Sequence, residues 1–362
     1  MVTKVVLKAG SFFFLALWIV GCAGHGASVL PSDRSNYNIA IQRSNDEQLL
    51  LNLVRLVYRD TPLFLEVSSV AAQFTYGATA EANATLPERG LNVFGLGGSA
   101  VMTEKPTISY TPLQGEKFIG RFLSRVPLET VFLLYHSGWS IERLFRLCLQ
   151  RLGGFKNAPS ASGPTPQFAP TYKKFARVSE LFRILQNRDA LTISWGGKKE
   201  TPGLAVQVGQ EALGSPELLE LNKLLGTPTN KTLFVLSTYQ LSNNRDSIKV
   251  ETRSLLGILY YLSQSVKVPK RDKELGKVTI TRYPSGEPFD WTKVTEGLLL
   301  VRSQPKKPDQ SAVAVNYRNS WFYVDDSDLH SKSTLSLLAQ IFALQAGKIK
   351  SIAPLLTLPV GQ

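Results

Sequence analysis

The chain has 362 residues, enough for one large domain or two ordinary ones. Its 41 lysines and arginines exceed its 28 aspartates and glutamates, giving a formal charge of +13 with no long run of like charge. That balance suits anionic lipid, lipopolysaccharide or an acidic partner. With two cysteines and three histidines, a disulfide-rich scaffold is excluded and thiol or imidazole chemistry has few groups to draw on.

In chain order, Lys4 and Lys8 precede an apolar run from Ala9 to Val20. The run is shorter than the roughly 20 residues a membrane-spanning helix needs. A positive start, a short apolar segment and small residues at its end predict a secretory signal over 1–21. Ile19-Val20-Gly21-Cys22 resembles the lipobox of bacterial lipoproteins, with Val20 bulkier than the residue usual there. The resemblance implies a diacylglyceryl group on the Cys22 thiol, cleavage before Cys22 and acylation of the new amino group. Each buried CH₂ contributes about 0.8 kcal/mol, so several chains on one residue anchor stably where one does not. Ala23, in place of the aspartate common in inner-membrane lipoproteins, implies the outer membrane of a Gram-negative bacterium. An exported lipoprotein rarely meets nucleic acid, so none is expected as a partner.

Residues 22–43 are expected as a lipidated tether, flexible over the small, polar stretch Gly24–Ser35. Ser44 and Glu47 have capping-box spacing, which predicts a helix starting near Asn45 and stopping before Pro62. From Leu63 the period changes to two. Phe74, Tyr76, Ala78, Ala80, Ala82, Ala84 and Leu86 alternate with Thr75, Gly77, Thr79, Glu81, Asn83 and Thr85. The stretch "PERG" predicts a turn, and a returning strand places Phe94, Leu96, Ala100 and Met102 on one face. The expected hairpin is longer than usual strands of 5 or 6 residues.

Helices are expected at about 113–136, 140–152 and 170–188, with a Gly/Pro/Ser-rich linker at 154–169 between two domains, 44–153 and 170–362. Beyond it "ALTISWG", "LAVQVG" and "TLFVLSTYQ" predict strands, and "SPELLELNKLLG" and "TRSLLGILYYLSQSV" helices. Next come "GLLLVRS", a tight hairpin in "SAVAVNYRNSWFYV" turning at Arg318–Ser320, the helix "SKSTLSLLAQIFALQAG" and a final strand in "PLLTLPVG". The fold class is α+β, with an N-terminal helix and long β-hairpin, a helical middle and a mixed α/β C-terminal part. The stretches "NLVRLVYRDTPLFLEVSS", "PTISYTPLQGEKF", "NSWFYVDDSDL" and "LTLPVG" resemble a group of exported Gram-negative lipoproteins of unassigned function. That likeness implies location and brings no activity with it.

Residues with chemical potential have simpler structural uses. "DDSDLH", with Asp325, Asp326, Asp328 and His330, has ligand-type side chains but precedes a helix, where carboxylates cap N–H groups. "GLGG" at 95–98 has no following Lys-Ser or Lys-Thr and lies inside a strand pattern. In "YHSGWS", His136 and Ser137 are adjacent and do not face each other on a helix. Cys148 shares a helical face with Ile141, Leu144, Phe145 and Leu152, as a small core residue does. No catalytic residue, metal ligand or cofactor is expected. The hairpin has two readings: a sheet with its apolar face against the helices, or a membrane-entering element of which several subunits each contribute two strands. Phe74, Tyr76, Ala78, Ala80, Phe94, Leu96 and Met102 are the expected membrane or partner contacts. The expected function is a non-enzymatic outer-membrane lipoprotein, held in the bilayer by Cys22, in envelope assembly or secretion, with an envelope protein or a homo-oligomer as partner. The alternative is an oligomeric pore built from the 63–111 hairpins, and the remainder a periplasmic hydrolase.

Overall fold

The computed structural model describes residues 25–85, 93–198, 201–238 and 247–346, with side chains omitted at 25–33, 71–85, 93–106, 197–198, 201–202 and 346. Cys22, the turn at 86–92 and the "PLLTLPVG" stretch lie outside them. The fold is α+β, with three separate sheets among the described residues. Two compact units are distinguished, Met1–Gln48 and Leu49–Gln362.

Helix α1 (His25–Val57) starts well before the expected Asn45. Ser44 and Glu47 lie within it, and an ion pair from Arg43 Nε to Glu47 Oε1 at 3.0 Å spans the supposed cap. The Ser-x-x-Glu spacing is therefore also that of two residues on one helical surface. The last turns of α1 bury Leu49, Leu50, Leu53, Val54 and Leu56. Asn52 then stitches α1 to the segment beyond Pro62, donating from Nδ2 to the Leu63 carbonyl (2.7 Å) and accepting the Leu63 N–H (2.9 Å).

Strands β1 (Leu65–Thr85) and β2 (Val93–Pro112) form a two-stranded antiparallel sheet that no other described strand joins. The hairpin's root is clamped. Leu113 N–H donates to the Phe64 carbonyl at 2.9 Å. The buried Phe64 ring stands 5.7 Å from Phe122 in α2 (Glu116–Leu123) and 4.8 Å from Phe342 in α10 (Leu329–Ala346). The expected helix at 113–136 is two helices, α2 and α3 (Leu128–His136), because Pro127 cannot continue a helix and biases Val126 to extended backbone. Val126 N–H instead donates to the Arg253 carbonyl at 2.8 Å.

Helix α4 (Ile141–Cys148) gives way directly to strand β3 (Leu149–Leu152), so the expected helix over 140–152 ends early. The stretch 154–169 is not a spacer between units. It supplies β4 (Phe155–Lys156) and a 3₁₀ turn, Pro159–Ser162, and buries Asn157, Ala158 and Ala161 in the core of the Leu49–Gln362 unit. Helix α5 (Lys173–Asn187) packs on α4 through Phe145 and Phe182, 5.7 Å apart. The six-stranded sheet runs β4-β3-β8-β7-β6-β5, with β5 (Leu191–Lys198), β6 (Thr201–Val208), β7 (Leu233–Ser237) and β8 (Ser247–Thr252); only β7 and β8 are parallel. Helices α6 (Pro216–Leu225) and α7 (Leu255–Ser263) start on serine caps, Ser215 Oγ accepting from Leu218 N–H and Ser254 Oγ from Gly257 N–H.

Short helices α8 (Lys270–Glu274) and α9 (Thr292–Thr295) lead to a three-stranded sheet, β10-β11-β9, from β9 (Arg302–Gln304), β10 (Ser311–Tyr317) and β11 (Ser320–Asp325). Its tight turn holds Arg318 and Asn319 at φ 50° and 64°, as a type I′ hairpin requires. Arg318 is tied down by Asp60 at 2.9 Å and by the Tyr58 ring beneath it.

Arg253, between β8 and α7, is fully buried with no carboxylate partner among the described residues. Its guanidinium donates to the carbonyls of Arg146 (3.0 Å), Leu147 (3.1 Å), Leu149 (2.7 Å) and Asn157, and to Ser162 Oγ (3.0 Å), and lies 4.0 Å from the Tyr261 ring centre. Burial pulls its pKa down to about 10. Arg253 thus plugs the carbonyl end of α4, where a cation is favoured, and fixes the helix-to-strand switch there.

Candidate functional site

The hairpin register is regular. From Val70 paired with Ile108 to Thr85 paired with Val93 it runs unbroken, with one irregularity at Ser68, between Val67 and Ser69. Directly paired residues share a face, so Tyr76/Met102, Ala78/Ala100, Ala80/Gly98, Ala82/Leu96 and Ala84/Phe94 lie on one face. The expected contact residues Tyr76, Ala78, Ala80, Phe94, Leu96 and Met102 are therefore brought together on a single ribbon face. Phe74 lies at its margin, paired with Glu104. The opposite face carries Thr75/Thr103, Gly77/Val101, Thr79/Ser99, Glu81/Gly97, Asn83/Gly95 and Thr85/Val93.

The pairs from Thr75/Thr103 to Thr85/Val93 number eleven, and no charged residue falls on the apolar face among them. Glu104 and Lys105 bound this run toward the root, and Glu88 and Arg89 in the sequence bound it toward the tip. Phe74 and Tyr76 stand near the first end and Phe94 near the second, with alanine, glycine, leucine and methionine between. At about 3.3 Å per residue, eleven residues cover roughly 36 Å, or about 25 Å of height at a 45° tilt, the height of the apolar band of a membrane β-barrel. Prolines are placed outside the run: Pro106 and Pro112 lie in the root half of β2. Proline removes a ladder donor, so the edges are left free for further pairing along the charge-free run and blunted below it.

Neither strand packs extensively on any other described element. Where root side chains are described, Leu65, Ile108 and Tyr110 are exposed, Tyr110 at 52%. At the root, the described part of this face is thus open to solvent rather than covered by the protein's own helices.

The other sequence candidates have structural roles. Asp328 caps α10, accepting Ser331 N–H at 3.0 Å; Asp325 accepts Ser327 N–H at 3.0 Å; Asp326 pairs with Lys332 at 2.7 Å. His330 lies against Arg143, 3.3 Å from Nη2 to Nδ1. Among the described residues, no three His, Cys, Asp or Glu residues are grouped to hold a metal. His136 Nε2 meets the Ile193 carbonyl at 3.0 Å and Ser137 Oγ donates to the Leu133 carbonyl at 2.9 Å, so the two are engaged separately. Cys148 is buried and free, and burial pushes its thiol up to about 12, against the opposing pull of Arg253. A surface cavity of ≈ 320 Å³ between Gly154, Phe155, Lys156, Thr171 and Lys174 contains no carboxylate or imidazole. No described helix is long and apolar enough to cross a membrane.

Sequence reasoning found the alternation but not its limits. That Glu104 stands level with Phe74 follows from the strand register, which the alternation alone does not give. Arg253 carried no sequence signal, since a single arginine before a helix cap looks like a surface residue.

What fold and ribbon define together is an α+β body bearing a long, self-paired β-hairpin. The chain matches no protein-family model, no curated protein and no solved structure.

Proposed function

We propose that this is a non-enzymatic, lipid-anchored outer-membrane component whose copies pool their hairpins into one β-barrel pore. The observation that carries the reading is the eleven-pair run, charge-free on its apolar face, bounded by charges and aromatics, on a ribbon whose two edges pair with no other described strand. Hydrocarbon does not tolerate open strand edges, so one hairpin cannot insert alone. Copies side by side close the ring: about four for the smallest eight-stranded barrel, eight or nine for a water-filled channel of 16–18 strands. The lipobox-like Ile19-Val20-Gly21-Cys22 supports acylation at Cys22, which would hold each copy at the membrane before assembly. The positive charge adds attraction to anionic headgroups.

A second reading has its own support. The exposed Leu65, Ile108 and Tyr110 extend the apolar face beyond the charge-free run, as a docking strip for an envelope assembly or secretion partner would.

The test is the full chain, purified from membranes and reconstituted into vesicles loaded with small and large dyes. The acylated chain is expected to release the small dye. Cys22→Ser should take up no labelled palmitate and release dye at least tenfold more slowly at equal concentration. Tight vesicles carrying the acylated chain would overturn the pore and leave the docking strip as the reading.

A further inference from the structure

Resting on the pore reading, we infer that Glu81 sets the ion preference of the channel, making it selective for cations. In a barrel closed from these hairpins the apolar face meets lipid, and the face opposite lines the lumen. Along the eleven-pair run the lumen-side positions of both arms hold threonine, serine, asparagine, valine and glycine, with one charged residue, Glu81. Its register partner is Gly97, and the neighbouring pairs on that face, Thr79/Ser99 and Asn83/Gly95, carry no cation. Symmetry repeats the position once per subunit at one height, producing a ring of carboxylates that no lysine or arginine within the run neutralises. The nearest lumen-side cation toward the root is Lys105, paired with Gln73. It lies eight positions along β2 from Gly97, roughly 26 Å at strand spacing and beyond the ~8 Å screening length of physiological salt. Rings of acidic side chains favour cations in channels by this electrostatic route.

The experiment is planar-bilayer recording of the full chain under a potassium chloride gradient, reading the cation-to-anion permeability ratio from the reversal potential. The unmodified chain should favour potassium several-fold. Glu81→Gln should bring the ratio close to one, and Glu81→Lys should invert it. Glu104→Gln, whose position is on the lipid side at the margin of the run, should leave the ratio unchanged. Conducting channels with the same ratio in all four proteins overturn the assignment of Glu81 while sparing the pore. A ratio moved by Glu104→Gln and not by Glu81→Gln overturns the assignment of faces, and the selectivity role with it. If the unmodified chain forms no channels, the pore reading falls and takes the ring with it. Glu81→Cys reacted with a cationic thiol reagent gives a second route, because the charge is changed after assembly. Inversion on reaction supports the ring; reaction with no change in ratio counts against it.

Discussion

Aspartate at both Ala80 and Leu96 is expected to abolish dye release and oligomer formation while leaving the melting temperature of the body within a degree or two of the unmodified chain. Ala80 pairs with Gly98 and Leu96 with Ala82, so the two changes fall on neighbouring pairs near the middle of the charge-free face. A carboxylate facing lipid near the bilayer midplane costs on the order of 1–2 kcal/mol. With two per subunit and about eight subunits, the assembled barrel is opposed by roughly 16–32 kcal/mol, more than a typical folded domain's whole stability of about 5–15 kcal/mol. The body is spared because the hairpin's extensive packing is against itself and its anchor is the Phe64 root, far from either substitution. Size by native mass spectrometry and thermal unfolding separate three results. Lost assembly with unchanged melting supports membrane insertion. A lowered melting temperature would mean that the face packs on the protein's own helices. An unchanged oligomer with unchanged melting would eliminate any associating role for the hairpin.

Arg253→Met is expected to lower the melting temperature by roughly 5 °C, with release activity per folded molecule retained. The guanidinium serves four main-chain carbonyls and Ser162. Methionine fills similar volume but takes away the side-chain donor to the carbonyls of Leu147 and Asn157, while Asn157 Nδ2 still serves those of Arg146 and Leu149. Each buried acceptor left without its donor costs about 1–3 kcal/mol, and in a unit this large 1 kcal/mol is worth somewhat less than the about 2–4 °C it is worth at 150–250 residues. Arg253→Lys should fall between the two, since an ammonium has three donors on one centre and cannot span carbonyls on α4, β3 and the 154–169 stretch together. Unchanged melting of Arg253→Met would show that the carbonyl end of α4 is satisfied otherwise.

The legible parts of this sequence are those where local pattern and tertiary role coincide. The alternation from Phe74 to Leu86 announces a strand because one face keeps its apolar character throughout. The turn at Arg318–Asn319 and the caps at Ser215 and Ser254 are short-range features. Failures occur where distant groups decide. Leu149 and Leu152 continue the helical spacing of Ile141, Leu144, Phe145 and Cys148, yet they form a strand, since β8 is available for pairing and Arg253 stops the helix. The 154–169 stretch has the composition of a linker, but Asn157 donates to the carbonyls of Arg146 and Leu149 and is buried with its neighbours. Glu104 and Lys105 look like interruptions of a strand in sequence; in register they mark where the charge-free run ends.

The most direct test of the hairpin as a membrane strand is a single-cysteine scan from Tyr76 to Ala84 in the reconstituted full chain, each position carrying an environment-sensitive fluorophore. Cys148 will not compete, being buried with its thiol pushed up to about 12. Quenching by a lipid-borne nitroxide at the even positions and by aqueous iodide at the odd ones, alternating without a break, is the predicted result. Equal access of iodide to every position, or an environment that does not alternate, would contradict it.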